Sequence, residues 1–345
     1  MRGNRTMQNR INKELSLEAK DYILKANQIV IVPHAGPDGD AIGSSLALMR
    51  YLKKQGKQVK VICPNAYPEF LTWLHSEDEL DVFEKTEEAC TTYINDSDLI
   101  FILDHNSFKR SGDVGKLLEK QKAPKIMIDH HPMPEAIADI TLSDTAMCST
   151  CEMIYEFIDA MGGNDQIDKD IAECIYTGII TDTGGLSYNS SNERIYQIVG
   201  ALMKKGIDKA KVHDKIYDNY SANRMKLLGY CLNEGMELLP EYEAAIIHLT
   251  KETLAAFDYQ DGDTEGFVNH PLSIKGINIS VIFMEKDDTV KISFRSKGDI
   301  PINQMARDFF NGGGHINAAG GRTYESMTKG IEKFKKELPA FYKSL

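Results

Sequence analysis

The sequence predicts an α/β protein with a parallel-sheet N-terminal domain, a helical connector and a smaller α+β C-terminal domain. Three observations carry this reading. Strand, helix and strand succeed one another between Gln28 and Cys63, the order of a βαβ unit. Two nearly continuous apolar runs, Asp98–Asp104 (DLIFILD) and Lys125–Asp129 (KIMID), have the character of further buried strands. Beyond Leu238 the pattern changes to alternating apolar strands. A chain of 345 residues accommodates two domains, here placed at 11–204 and 237–345 with the connector at 205–236.

Taken in order, Gln28–His34 reads as a buried strand. Asp40–Gln55 carries Ile42, Leu46, Met49 and Leu52 at the spacing of an amphipathic helix, and Gln58–Cys63 is the next strand. After a loop with Pro132 and Pro134, helices are expected at Thr150–Met161 and Asp168–Thr181. Asn192–Lys204, Lys209–Asp218 and Ala222–Gly235 read as three more, with polar joints. The C-terminal domain offers the strands EAAIIHLT, INISVIFME and VKISFRS, with a short helix at Lys251–Phe257. It ends in Asn311-Gly-Gly-Gly-His315, Ala318–Gly321 and a final helix from about Glu325.

Three of the expected strands end at His34, Asp104 and Asp129, and the last runs on into His130 and His131. A single strand-end aspartate is more often a cap or turn residue. Three such ends at the carboxyl edge of a parallel sheet, where ligands gather, favour a site. The first loop adds Asp38 and Asp40. Asp182 closes an expected helix, where a carboxylate meets the negative end of the dipole unless a cation compensates; Gly184 and Gly185 beyond it fit ordinary capping.

His34, Asp38, Asp40, Asp104, His130 and Asp182 thus offer four carboxylates and two imidazoles. That donor set suits manganese, with magnesium, cobalt and zinc also accommodated. Six ligands exceed what one catalytic ion with open positions takes. Two ions bridged by shared carboxylates, typically about 3.5–4 Å apart, are therefore expected, and such pairs serve phosphoester hydrolysis. His131, Arg110 and Arg295 are candidate cationic donors to phosphoryl oxygens, although an exposed arginine explains either Arg equally well. Gly312, Gly313 and Gly314 can bring backbone N–H groups to a phosphate, and His315 can donate to it or stack on a base; a tight turn accounts for them as well.

Five ordered motifs now stand out: HAGPDGDAIGS at His34–Ser44, LDHN at Leu103–Asn106, DHH at Asp129–His131, TDTG at Thr181–Gly184 and GGGH at Gly312–His315. The set resembles the DHH phosphoesterase superfamily, and the C-terminal domain resembles its DHH-associated domain of the first type. The compact layout is similar to the nano-RNase and pAp-phosphatase branch. The resemblance implies one metal on His34, Asp38, Asp104 and Asp182 and a second on Asp40, Asp104, His130 and Asp182. It implies further that Asp104 and Asp182 bridge, that Asp129 orients His130, and that His131 faces the phosphate. The implied enzyme hydrolyses short RNA oligonucleotides and 3′-phosphoadenosine 5′-phosphate in a cleft between its two domains, with linear dinucleotides in the same class. An exopolyphosphatase or pyrophosphatase-like enzyme is the nearest alternative, and a non-catalytic nucleotide sensor is the alternative from another class.

Composition narrows the partners. A formal charge of −11 argues against non-specific binding to duplex DNA or to a membrane surface, so a short RNA or mononucleotide must be met locally. A homodimer is allowed for. The basic N-terminus lacks the apolar core of a signal peptide, which makes the cytoplasm the expected compartment. Six scattered cysteines fit a reducing compartment, and the Cys148–Cys151 pair reads as buried thiols. His105 follows a candidate ligand and is expected to pack or cap, and His75, His213, His248 and His270 have no partner at ligand spacing; all five are expected to be structural, as is Trp73.

Overall fold

The computed structural model of the chain describes residues 11–343; the N-terminal stretch up to Arg10, where no signal peptide is expected, lies outside them. The described residues divide into two compact units that meet in sequence between Asn219 and Tyr220. The stretch 205–236 is therefore shared between the units.

The first unit runs α1 (Lys13–Lys25), β1 (Gln28–Val32), α2 (Gly39–Lys54), β2 (Gln58–Cys63), β3 (Leu80–Val82), α3 (Glu87–Asp96) and β4 (Leu99–Leu103). It continues through α4 (Gly112–Lys120), β5 (Lys125–Asp129), β6 (Ile140–Ser143), α5 (Thr150–Ala160), α6 (Lys169–Asp182), α7 (Glu193–Lys204) and α8 (Lys209–Tyr217). The strands form one parallel sheet in the order β3-β2-β1-β4-β5-β6. Chain order reverses between β1 and β4, and in open parallel sheets the crevice beyond the strand ends at such a point receives ligands.

Alternation along the strands feeds both faces. Ile29, Ile31, Phe101 and Ile128 join α1, α2, α5 and α6 in the larger core, whereas Val30, Val32, Ile100 and Met127 meet Cys90 and Ile94 of α3 and Val114 and Leu118 of α4. The two-sided burial explains why these strands read as unbroken apolar runs. Trp73 packs, partly buried, against the larger core.

The second unit comprises α9 (Ala222–Asn233), β7 (Met236–Leu239), β8 (Ala244–Leu249), α10 (Lys251–Ala256), β9 (Ile279–Glu285), β10 (Val290–Ser296), α11 (Ile302–Phe309), β11 (Gly313–His315), β12 (Ala318–Thr323) and α12 (Met327–Lys343). Its sheet has the order β11-β12-β10-β9-β8-β7 and is antiparallel except between β8 and β9. Ile246, Val281, Phe283, Ile292 and Phe294 line one face beneath α11 and α12. Among the described residues no helix is long and apolar enough to cross a membrane.

Candidate metal centre

The site is assembled at the carboxyl edge of the first sheet. The loop after β1 carries His34 and is tied to the loop after β4 where Ala35 N donates to the Arg110 carbonyl at 2.7 Å. Asp38 is the N-cap of α2: its Oδ1 accepts from the N–H groups of Asp40 (3.0 Å) and Ala41 (3.1 Å), so cap and candidate ligand are the same residue. Asp40 follows in the first helical turn and is 1% exposed. Asp104 stands one residue beyond β4 with φ 60°, a left-handed conformation uncommon outside glycine and concentrated at functional sites. Asp182 is the last residue of α6.

These residues converge in two sets. His34 Nδ1 donates to the Ala35 carbonyl at 2.9 Å, which leaves Nε2 to face Asp104 Oδ2 at 3.4 Å and Asp38 Oδ1 at 3.9 Å. His130 Nε2 lies 3.4 Å from Asp182 Oδ2, 3.5 Å from Asp104 Oδ1 and 3.8 Å from Asp40 Oδ2. Asp104 therefore presents one oxygen to each set. Within the sets His34, Asp38, Asp104 and Asp40, His130, Asp182, the ligand atoms all lie within 4.8 Å of one another.

The electrostatics fit divalent cations. Burial, and next the charge of Asp104, push the Asp40 carboxyl up to about 7, against the pull of His130. Burial alone would lower the pKa of His34, but its hydrogen bond with Asp104 and the charges of Asp38 and Asp104 raise it to about 9. Burial works to raise Asp104 too, yet His34, His131 and His130 hold it well below the usual carboxylate range. Mutually repelling carboxylates, buried with imidazole nitrogens among them, are the donor set that bound cations stabilise.

Asp129 departs from the expectation. Its Oδ1 accepts from His131 Nδ1 at 2.7 Å, while His130 Nδ1 turns to the Met147 carbonyl at 3.4 Å. The ring that Asp129 orients is thus that of His131 and not His130, because successive side chains after β5 point to opposite sides. Arg110 is close enough for its charge to oppose the rise of His34. In the second unit, Arg295 lies on β10, opposite Ala318, and His315 on β11. Gly312 and Gly314 close the β11–β12 hairpin: a Cβ would fall 2.0 Å from the Gly320 carbonyl at the first and 2.4 Å from the Ala318 carbonyl at the second. Gly313 has open space there. His105 is buried, with Nδ1 donating to the Ser107 carbonyl, and all six cysteines are buried and free.

Sequence reasoning expected a helix from Thr150, where α5 begins, but missed the part its N-terminus plays in the site. Thr150 N and Cys151 N donate to the two oxygens of Asp40 at 2.6 and 2.8 Å, and Thr150 Oγ1 donates to Asp104 Oδ1 at 2.9 Å. Ser149 Oγ accepts from Glu152 N, and Glu152 Oε2 reaches back one residue past the cap to accept from Cys148 N, a variant of the capping box. The Ser-x-x-Glu pattern at 149–152 was the available signal for this helix start. Gly39, Gly43 and Gly178 let α2 and α6 approach closely: a Cβ on Gly178 would lie 2.7 Å from Asp40 Oδ1 and 2.2 Å from Cys151 Sγ.

Residues 28–179 match the DHH family, N-terminal domain, and residues 247–344 match the DHHA1 domain. The bifunctional oligoribonuclease and PAP phosphatase NrnA of Bacillus subtilis is 30% identical over 301 residues, covering 86% of this chain and 89% of that protein. Its Thermus thermophilus counterpart is 29% identical, covering 86% and 85%. A crystal structure of an exopolyphosphatase-related protein from Bacteroides fragilis superposes with a TM-score of 0.92 at 42% identity, covering 97% of this chain and 98% of that one. The chain belongs to the DHH family and is a metal-dependent phosphoesterase.

Proposed function

We propose that the chain hydrolyses RNA oligonucleotides of about two to five nucleotides, linear dinucleotides among them, and 3′-phosphoadenosine 5′-phosphate. Two manganese ions are the proposed cofactors, one on His34, Asp38, Asp104 and Asp182, the other on Asp40, Asp104, His130 and Asp182. The observation that carries the reading is Asp104, buried between the two sets with one oxygen toward each. The names of the Bacillus and Thermus relatives support the substrate class.

Held by these residues, two divalent ions would lower the pKa of water and would supply positive charge to the phosphoryl oxygens. The chain's own groups do the rest. Asp129 accepts the Nδ1 proton of His131, and in the imidazolium form of that ring the Nε2–H is the proposed donor to a phosphoryl oxygen. Water adds to phosphorus, the bond to the ribose oxygen breaks, and that oxygen leaves with a proton. Arg110, Arg295, the N–H groups of Gly313 and Gly314, and His315 are the proposed contacts to substrate; Gly312, expected to donate as well, has its N–H bonded to the Ala306 carbonyl at 3.0 Å and serves the turn instead.

The test is a substrate panel with manganese. Dinucleotides and 3′-phosphoadenosine 5′-phosphate should be cleaved, Asp104→Asn should abolish turnover with the fold retained, and a chelator should inactivate reversibly. Since the Bacteroides protein is described as exopolyphosphatase-related, tripolyphosphate is the control. Hydrolysis of tripolyphosphate with both nucleotide substrates left intact would refute the proposal, as would full activity in Asp104→Asn.

A further inference from the structure

The sheet of the second unit is covered unevenly. On the face opposite α11 and α12, Ile247, Leu249, Ile282 and Met284 of β8 and β9 pack under Leu227 and Cys231 of α9, Leu254 of α10, and Phe267 and Val268. No residue of β10, β12 or β11 belongs to that apolar cluster. Along β10 the buried side chains Val290, Ile292 and Phe294 alternate with Lys291, Ser293 and Arg295, which point to this face.

Register extends the pattern across three strands. Arg295 lies opposite Ala318, which pairs with His315; Ser293 lies opposite Gly320, which pairs with Gly313; Lys291 lies opposite Arg322. A Cβ on Gly313 would meet nothing within 4 Å, and one on Gly320 only a carbonyl at 4.0 Å. The result is a low floor with cations at both ends. Lys291 and Arg322 are like charges directly opposite one another, an arrangement that costs stability in a sheet. Neither forms a salt bridge among the described residues. Of the acids whose charge reaches Lys291, Asp261 is already held by Lys286 Nζ at 2.9 Å. The Lys291 and Arg295 rows are four residue steps apart on β10, about 13 Å along an extended strand. Tyr324, two residues beyond Arg322, is 71% exposed and adds an aromatic surface of the kind bases stack on.

We propose that Lys291 and Arg322 form a second phosphate-binding site that holds the backbone of an oligoribonucleotide beyond the phosphate met by Arg295 and His315. The inference rests on the substrate reading given above. It assigns a division of labour: the Arg295 row serves every substrate, and the Lys291 row only those long enough to span the floor. A mononucleotide ends before reaching it.

The double variant K291Q/R322Q with manganese tests this, measured against wild type on 3′-phosphoadenosine 5′-phosphate, a dinucleotide and a pentanucleotide. Pentanucleotide kcat/KM should fall roughly tenfold, the scale of two exposed charge-assisted contacts, with the two shorter substrates changed by less than about twofold. The dependence of log kcat/KM for the pentanucleotide on log salt should become shallower by about 1.4, two single-strand phosphate contacts at about 0.7 each. An equal loss on all three substrates, or no loss on the pentanucleotide, overturns the inference. Failure of the wild type on 3′-phosphoadenosine 5′-phosphate and the dinucleotide would instead sink the substrate reading itself, so the two failures are distinguishable.

Discussion

Thr150 is where a single atom can be removed from beneath the metal centre. Thr150→Val keeps the backbone N–H that donates to Asp40 Oδ2 and deletes the Oγ1 donor to Asp104 Oδ1 at 2.9 Å. Both residues are buried, Thr150 at 0% and Asp104 at 1% exposure, so water cannot replace the lost donor cheaply. A hydrogen bond to a charged acceptor contributes about 1.5–3 kcal/mol. The metal-free variant should therefore lose about 2 kcal/mol, which for a unit of this size lowers the melting temperature by about 4–8 °C. Asp104 faces both ligand sets, so loosening it should weaken both, and groups that orient metal ligands typically contribute 10–100-fold in affinity or activity. Calorimetric titration of metal-free protein with manganese reads the affinity directly. Thr150→Ser restores the hydroxyl and should recover most of both losses. Manganese binding and turnover by Thr150→Val at wild-type level, or a serine variant as impaired as the valine one, would refute the assignment.

Two further substitutions probe the scaffold. Gly178→Ala sets a methyl group 2.2 Å from Cys151 Sγ and 2.7 Å from Asp40 Oδ1, so α6 must shift away from α2 and α5; a stability loss of about 1–3 kcal/mol is expected, with weakened manganese binding at the Asp40 set, and an unchanged melting curve would show that the helices are less tightly engaged than drawn. For Glu79, burial works to raise the pKa, but its paired bonds from Arg50 Nε (3.0 Å) and Nη2 (2.8 Å) lower it from 4.5 to about 2. The folded state then holds the proton less tightly than the unfolded chain. The stabilisation is present above about pH 4.5 and is lost as pH falls toward 2. Glu79→Gln should be less stable by about 2 kcal/mol at pH 7, with the gap closing over that acid range; denaturant unfolding at several pH values checks it, and a gap independent of pH would contradict the ion-pair account.

The strands that carry the site were legible because they are buried on both faces and read as unbroken apolar runs. The elements that were not legible lack such a signal. β3 has three residues, β6 alternates as Ile-Thr-Leu-Ser at the sheet edge, and α4 holds Gly112 and Gly115, the latter because a Cβ would strike the Phe108 carbonyl at 1.9 Å. The GGGH glycines show the limit from another side: a glycine that admits a ligand and one that admits a neighbouring strand look alike, and at Gly312 and Gly314 the close neighbour is β12.

The same limit separates the groups that could touch a metal from the groups that aim them. His34, Asp38, Asp40, Asp104, His130 and Asp182 were nameable because carboxylate and imidazole are rare combinations at strand ends. The groups that fix Asp40 are backbone N–H donors of Thr150 and Cys151, and every residue but proline has one. The helix was expected from Thr150 and the Ser149-x-x-Glu152 pattern further marks its start, but neither ties its N–H groups to Asp40. A helix start within reach of an acidic loop is thus as much part of the site as the acids are. It carries partial positive charge to Asp40, whose burial and proximity to Asp104 otherwise favour the neutral carboxyl, and so keeps a buried carboxylate available as a ligand.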